Sequence, residues 1–234
     1  FEARRQRQMC IRDRILPEGA LQLVCGLGRG IIDHVDARDT VTFTGSAATG
    51  KILKGLPHIT DRSVAFNLEA DSLNASILGM HATPDTEEFN LFVKECVKEI
   101  TIKAGQKCTA VRRIIVPENL IDDVQSAISS KLEKTKIGDP SIEGVRMGAL
   151  ASKLQVERVR ESVIALEKSQ KIVSGDLENF DVQGADKKLG AFFSPILFRN
   201  EDPFNKVACH DIEAFGPVST IMPYKNMGEA IELA

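Results

Sequence analysis

Cys108 lies in Lys103-Ala-Gly-Gln-Lys-Cys-Thr-Ala110, just after a long helical pattern and just before a strand-like run. A thiol at such a junction can be aimed from rigid elements into a cleft, and Gly105 lets backbone approach a reacting centre closely. That placement suits a nucleophile, while a small, buried, structural cysteine fits the same residues. Glu69 follows Arg62-Ser-Val-Ala-Phe-Asn-Leu68, at the C-terminal edge of a strand, where open α/β sheets carry ligands. A carboxylate among apolar neighbours there suits general-base work, and a solvated loop acid is the plainer alternative. Glu213, in His210-Asp-Ile-Glu-Ala-Phe-Gly-Pro-Val218, precedes a turn and a strand and could hold ribose hydroxyls or be an ordinary loop acid.

Residues 40–52 read TVTFTGSAATGKI, a strand, a glycine turn and the start of a helix. Gly45 and Ser46 would then sit where free backbone N–H groups and the helix dipole favour a phosphate. The spacing Gly45-x-x-x-x-Gly50-Lys51 approaches a nucleoside-triphosphate loop, but Ile52 stands where a magnesium-binding Ser or Thr is needed. Gly26, Gly28 and Gly30 do not complete a dinucleotide fingerprint either, because position 31 is Ile. The four histidines, His34, His58, His81 and His210, form no readable cluster, and the five cysteines have no zinc-ligand spacing, so no metal site is expected.

The elements that must position these residues alternate. Strands are expected at 20–25, 40–44, 62–68, 112–116, 171–174, 192–198 and 218–222, with a short helix at 31–36 and longer ones at 46–56, 84–104, 119–132 and 153–169. In the helix at 84–104, Phe89, Phe92, Val93, Cys96, Val97 and Ile100 share one face at helical spacing. Strands alternating with helices imply an α/β fold with a mostly parallel sheet.

Composition narrows the class further. Acidic and basic residues nearly balance, 33 against 30, which argues against a nucleic-acid partner. No apolar run approaches the roughly 20 residues of a membrane helix, so no membrane partner is expected. Widely spaced cysteines, odd in number, suit free thiols in a reducing cytoplasm. The first fourteen residues carry five arginines and little to bury, and read as a non-native or disordered leader. The chain starts without Met and stops in the helix-like Met227-Gly-Glu-Ala-Ile-Glu-Leu-Ala234, which reads as a piece of a longer protein, inactive by itself.

Several motifs, in order, carry a resemblance. LPEG at 16–19, FTGSAATG at 43–50, GQKCTA at 105–110 and EAFGPV at 213–218, with IGDP at 137–140 as a weaker fifth, resemble segments of the aldehyde dehydrogenase superfamily from about residue 15 onward. The resemblance implies residues 15–70 as the end of a Rossmann-like NAD(P)-binding domain and 71–234 as most of an α/β catalytic domain. It implies Cys108 as nucleophile and Glu69 as the base for deacylation. Gly45 and Ser46 would lie at the cofactor phosphates, Glu213 at the nicotinamide ribose and Phe215 near the nicotinamide of NAD or NADP.

Most members read Glu-Leu-Gly-Gly-Lys after the strand, where this chain has Leu68-Glu-Ala-Asp-Ser-Leu-Asn74. That departure, with the GQKCTA context, resembles the dehydrogenase half of bifunctional ring-opening proteins of phenylacetate degradation. The implied substrate is then a CoA-linked semialdehyde, oxo-dehydrosuberyl-CoA semialdehyde. The implied partners are a hydratase-like domain in the whole protein and further copies of the chain. Two other readings are open. One is a CoA-acylating aldehyde dehydrogenase, against which Glu69 argues. The other is a non-catalytic relative, against which Cys108 and Glu69 together argue.

Overall fold

The computed structural model describes residues 17, 19–24 and 30–234. The proposed leader, Cys10, Cys25, Gly26, Gly28 and part of the 16–19 turn lie outside the described residues. The chain divides into two compact units, Phe1–Ala70 and Asp71–Ala234.

In the first unit β1 (Thr40–Gly45) and β2 (Ala65–Ala70) pair in parallel. Between them run α1 (Ala47–Lys54) and α2 (Pro57–Asp61), the latter unforeseen in sequence. Ser46 starts α1 by accepting a hydrogen bond from the Thr49 N–H at 3.2 Å. Gly50 is buried against Leu68, where an added Cβ would come within 2.4 Å of a leucine methyl.

Two strand expectations need correction here. The strand placed at 62–68 runs from Ala65 to Ala70, because Arg62 caps α2, Ser63 turns at φ 53° and the Val64 N–H still bonds the Ile59 carbonyl. The strand placed at 20–25 is not formed over residues 20–24. Leu21, Leu23 and Val24 are exposed and no described strand pairs with them, so the burial that favours a strand is missing. At 31–36 only a single 3-10 turn, Ile32–His34, appears.

The second unit is built on a five-stranded sheet. Its strands are β3 (Asn74–Ile77), β4 (Val111–Pro117), β5 (Lys171–Ser174), β6 (Ile196–Arg199) and β7 (Val218–Tyr224), in the order β3-β4-β7-β6-β5. All neighbours are parallel except β5 against β6. Helices α3 (Glu87–Thr101) and α4 (Ile121–Glu133) cover one face through Val93, Cys96, Ile100, Val124 and Ile128, which meet Ile114, Val116, Leu197 and Ile221. On the other face α5 (Lys153–Glu167) packs Val159 and Val163 on Ile196, Phe198 and Val218. The short α6 (Ala208–Asp211) and α7 (Met227–Leu233) complete that side around Ile115, Met222 and Tyr224. Apolar side chains on both faces are what a parallel sheet covered on both sides requires.

The long helix is shorter than its apolar pattern. Thr86 caps it by accepting from the Phe89 N–H at 3.3 Å, which fixes the start at Glu87 rather than Pro84. Its end comes early because Lys103, Ala104 and Gly105 all take left-handed backbone, at φ 52°, 51° and 68°. The strand expected at 192–198 begins only at Ile196, since Pro195 has no N–H for a ladder.

Tyr224, 1% exposed, donates its hydroxyl to the Leu78 carbonyl at 2.6 Å and so ties β7 to the end of β3. Tyr224→Phe is expected to destabilise the protein by about 1–2 kcal/mol, because a carbonyl loses its partner in a dry site. A lowered urea midpoint with unchanged slope is the measurement that checks it.

Candidate active site

Three segments meet at the N-terminal ends of three adjacent strands. The Cys108 turn leads into β4, Glu213–Gly216 leads into β7, and Ser72–Asn74 opens β3. Parallel neighbours bring such lead-in segments to the same edge of the sheet, although they are far apart in sequence.

The Cys108 turn is held at nearly every residue. Gln106 accepts from the Ala151 N–H at 2.9 Å and donates to the Lys103 carbonyl at 3.0 Å. Lys107 contacts both oxygens of Glu99 at 2.8 Å, with both side chains about four-fifths buried. The Cys108 carbonyl accepts from the Ser72 hydroxyl and, at 2.8 Å, from the Asn74 amide, which also reaches the Ala110 carbonyl at 3.1 Å. It is the backbone of Cys108 that is braced, and the residue itself is exposed. Cys96 and Cys209 are buried, and burial pushes the Cys96 thiol up to about 12 and raises that of Cys209 as well. A thiolate is the reactive form, so these two are inert structural thiols.

Glu213 is half-buried, and one carboxylate oxygen accepts from the Ser72 N–H at 3.3 Å. Burial raises its proton affinity above the ordinary carboxylate range, and the Ser72 N–H and the Arg112 cation pull it partly back. Arg112 is 4% exposed, and burial lowers its own value while Glu213 and Glu99 oppose that shift. Desolvation therefore dominates at both groups, with mutual attraction compensating only in part. Phe215 is 38% exposed, an unusual position for an aromatic ring whose backbone is fixed: Gln155 donates to its carbonyl at 2.8 Å.

In the first unit, register places Thr44 opposite Glu69 and Gly45 opposite Ala70, so Glu69 and the Gly45–Ser46 turn share the C-terminal edge of one parallel pair. Glu69 is exposed and lies inside the strand rather than after it. The apolar setting expected for it is absent from this unit for a simple reason. Side chains alternate along a strand, and Phe66, Leu68 and Ala70 take the more buried face. Two residues on, Asp71 has φ 47°, the left-handed backbone that glycine adopts without cost.

Thus Cys108, Glu213 and Phe215 come together in the second unit, and Gly45, Ser46 and Glu69 in the first. Sequence reasoning missed Ser72, Asn74, Arg112, Gln106 and Gln155. The signals available were weak: a polar Asp71-Ser-Leu-Asn74 leading into a short strand, and an arginine inside an apolar one. Among the described residues no group of three or more His, Cys, Asp or Glu could hold a metal ion, and no helix is long and apolar enough to cross a membrane.

A family model described as "Aldehyde dehydrogenase family" matches residues 8–234. The chain belongs to the aldehyde dehydrogenase family. Among curated members it is 43% identical over 220 residues to a 3,4-dehydroadipyl-CoA semialdehyde dehydrogenase of Aromatoleum evansii, a match covering 94% of this chain and 43% of that protein. It is 30% identical over 223 residues to a 3-succinoylsemialdehyde-pyridine dehydrogenase of a Pseudomonas species, covering 94% and 44%. Among solved family structures, a betaine aldehyde dehydrogenase of Staphylococcus aureus, a double mutant in complex with NAD+, superposes with a TM-score of 0.81. That match is 25% identical and covers 97% of this chain and 44% of the other. The chain thus spans under half the length of the family members it matches.

Proposed function

We propose that the whole protein oxidises a CoA-linked semialdehyde of aromatic catabolism to its carboxylic acid with NAD or NADP, using Cys108 as nucleophile and Glu69 as the deacylating base. The observation that carries this reading is the Cys108 turn: an exposed thiol on a backbone whose carbonyl is held by Ser72 and Asn74, beside the half-buried Glu213 and the exposed Phe215. The 43% identity to a dehydrogenase named for a CoA-linked semialdehyde supports the substrate class.

The residues fit a nicotinamide dinucleotide. Gly45 and Ser46 lie where β1 gives way to α1, and the N-terminal end of a helix favours a phosphate. Glu213 has an oxygen beyond the one held by Ser72, and Phe215 offers an exposed ring. When bound, the cofactor supplies the hydride acceptor. The Cys108 thiolate adds to the aldehyde carbon to give a thiohemiacetal, whose oxyanion is held by backbone N–H beside Cys108. After oxidation the acyl group remains on Cys108 as a thioester. Glu69 takes a proton from water, whose attack releases the acid and frees the thiol.

The Asp71 backbone favours Glu69 as the base. Where the family pattern runs Glu-Leu-Gly-Gly, this chain has Asp71 at the place of the first glycine, in the left-handed backbone that glycine adopts without cost, which supports the register that assigns Glu69.

The deciding assay uses the full-length enzyme with NAD and NADP in turn. It compares oxo-dehydrosuberyl-CoA semialdehyde, 3,4-dehydroadipyl-CoA semialdehyde and a simple aliphatic aldehyde, with and without free CoA. Expected is a kcat/KM at least about 100-fold higher for one CoA-linked semialdehyde, since binding energy from the remote CoA moiety can be used in the transition state, and release of free acid. An acyl-CoA product formed only when free CoA is added would instead establish the acylating reaction. Equal kcat/KM for all three aldehydes would overturn the substrate class.

A further inference from the structure

Arg112 occupies the second position of β4, a strand otherwise carrying Ile114, Ile115 and Val116 into the core, and it is 4% exposed. Its guanidinium donates to the Gly216 carbonyl at 2.6 Å and to the Gly105 carbonyl at 2.7 Å. Those two carbonyls belong to the two segments of the proposed site, one just before Cys108 and the other just after Glu213 and Phe215. The two backbones touch: a Cβ on Gly105 would lie 2.1 Å from the Gly216 oxygen. The Arg112 guanidinium carbon also lies 5.8 Å from the Phe215 ring centre.

Two carbonyl dipoles turned toward one dry point repel each other unless a donor bridges them. A planar fork with two diverging N–H groups can bond both, whereas a lysine ammonium offers a point charge on a flexible stem. Burying a guanidinium is costly, and here Nε has no hydrogen-bond partner among the described residues. A core strand whose only need was packing would carry an aliphatic residue at this place.

We propose that Arg112 is a positioning residue that fastens the Cys108 turn to the Glu213–Gly216 segment, so that nucleophile and ribose-binding carboxylate are held as one body. The inference rests on the roles given to Cys108 and Glu213 above. Its second consequence is electrostatic: Arg112 is the cation that opposes the burial of Glu213.

The test compares Arg112→Met and Arg112→Lys in the full-length enzyme. One readout is the rate of Cys108 alkylation by iodoacetamide, followed by peptide mass spectrometry. Another is the Kd of NAD(P) by calorimetry as a function of pH. Arg112→Met is expected to bind cofactor about 10- to 100-fold more weakly, the scale of losing hydrogen bonds made by a charged group, and to alter the alkylation rate by a comparable factor. The acidic limb of cofactor binding should move to higher pH, because Glu213 keeps its burial and loses its cation. Arg112→Lys should restore that limb but not the affinity or the alkylation rate.

A purely structural role would lower the melting temperature and leave the pH limb in place, and that result overturns the proposal. So do wild-type affinity and alkylation in Arg112→Met, provided that Glu213→Gln weakens cofactor binding. If Glu213→Gln binds cofactor normally, the functional reading of Glu213 falls, and this proposal with it. Should Arg112→Met fail to fold, wild-type values in Arg112→Lys overturn the proposal.

Discussion

Cys108→Ala in the full-length enzyme is expected to abolish NAD(P)H formation from any aldehyde, while leaving cofactor binding within about two-fold of wild type. The first half follows from covalency. Every step of the proposed reaction passes through the Cys108–acyl bond, and deleting a covalent nucleophile costs on the order of 10⁵–10⁶ in kcat. No other described thiol can take over, because Cys96 and Cys209 are buried in the sheet's apolar layers and burial raises both. The second half follows from how the turn is built. Ser72 and Asn74 bond the Cys108 carbonyl, and Gln106 and Lys107 are anchored by their own side chains. Alanine keeps all of these bonds, so Glu213 and Phe215 should stay in place. Stopped-flow absorbance for NAD(P)H and calorimetry for binding read the two halves separately. Residual turnover above about one part in 10⁴ would remove Cys108 from the chemistry. Lost cofactor binding would show that the thiol itself supports the turn.

The strands and helices of the second unit were legible in sequence because burial and periodicity coincide there. Phe89, Val93, Cys96 and Ile100 are spaced for one helical face and do face the core, and Ile114 to Val116 are apolar because both faces of β4 are covered. The strand β3 was not legible. It has four residues, Asn74-Ala-Ser-Ile77, two of them polar, and only its pairing to β4 makes it a strand. At the Cys108 turn, the helical apolar pattern runs on to Ala104, which is indeed buried, but three successive left-handed residues have already ended the helix. Periodicity records burial there, and the backbone turns away for a reason the pattern does not contain.

Cys108 and Glu213 were found as motifs, but their meeting was not deducible from spacing. It depends on β4 and β7 being neighbours, so that segments 105 residues apart lead into the same edge of the sheet. The residues that join them are the ones sequence reasoning passed over. Ser72 reaches Glu213 and Cys108, and Arg112 reaches Gly105 and Gly216. A serine or an arginine has many uses, and only its partners show which one applies. Glu69 illustrates the opposite error. A strand end expected at Leu68 put it at the strand's C-terminal edge among apolar neighbours, whereas two more paired residues place it on the exposed face of β2, opposite Thr44.

That placement makes Glu69→Gln the more discriminating variant. Glutamine keeps the size and the hydrogen-bonding capacity of glutamate and removes its basicity. On an exposed strand face the change should cost little stability, since surface substitutions away from special features usually stay within about 0.5 kcal/mol. If Glu69 acts after oxidation, by taking a proton from the deacylating water, the variant should still complete one oxidation per active site and then stall as the Cys108 thioester. The expected trace is a burst of NAD(P)H close to one equivalent, followed by a steady rate lower by about 10²–10⁴-fold, the usual loss for a general base. Mass spectrometry of the stalled enzyme should find the acyl group on the peptide containing Cys108, and hydroxylamine should release it. A steady rate equal to wild type would show that Glu69 is not the base. Asp71, the next carboxylate along the chain and held in left-handed backbone, would then be the residue to replace. Loss of the burst together with the steady rate would mean that Glu69 is needed before the thioester forms, placing its proton transfer at activation of the Cys108 thiol.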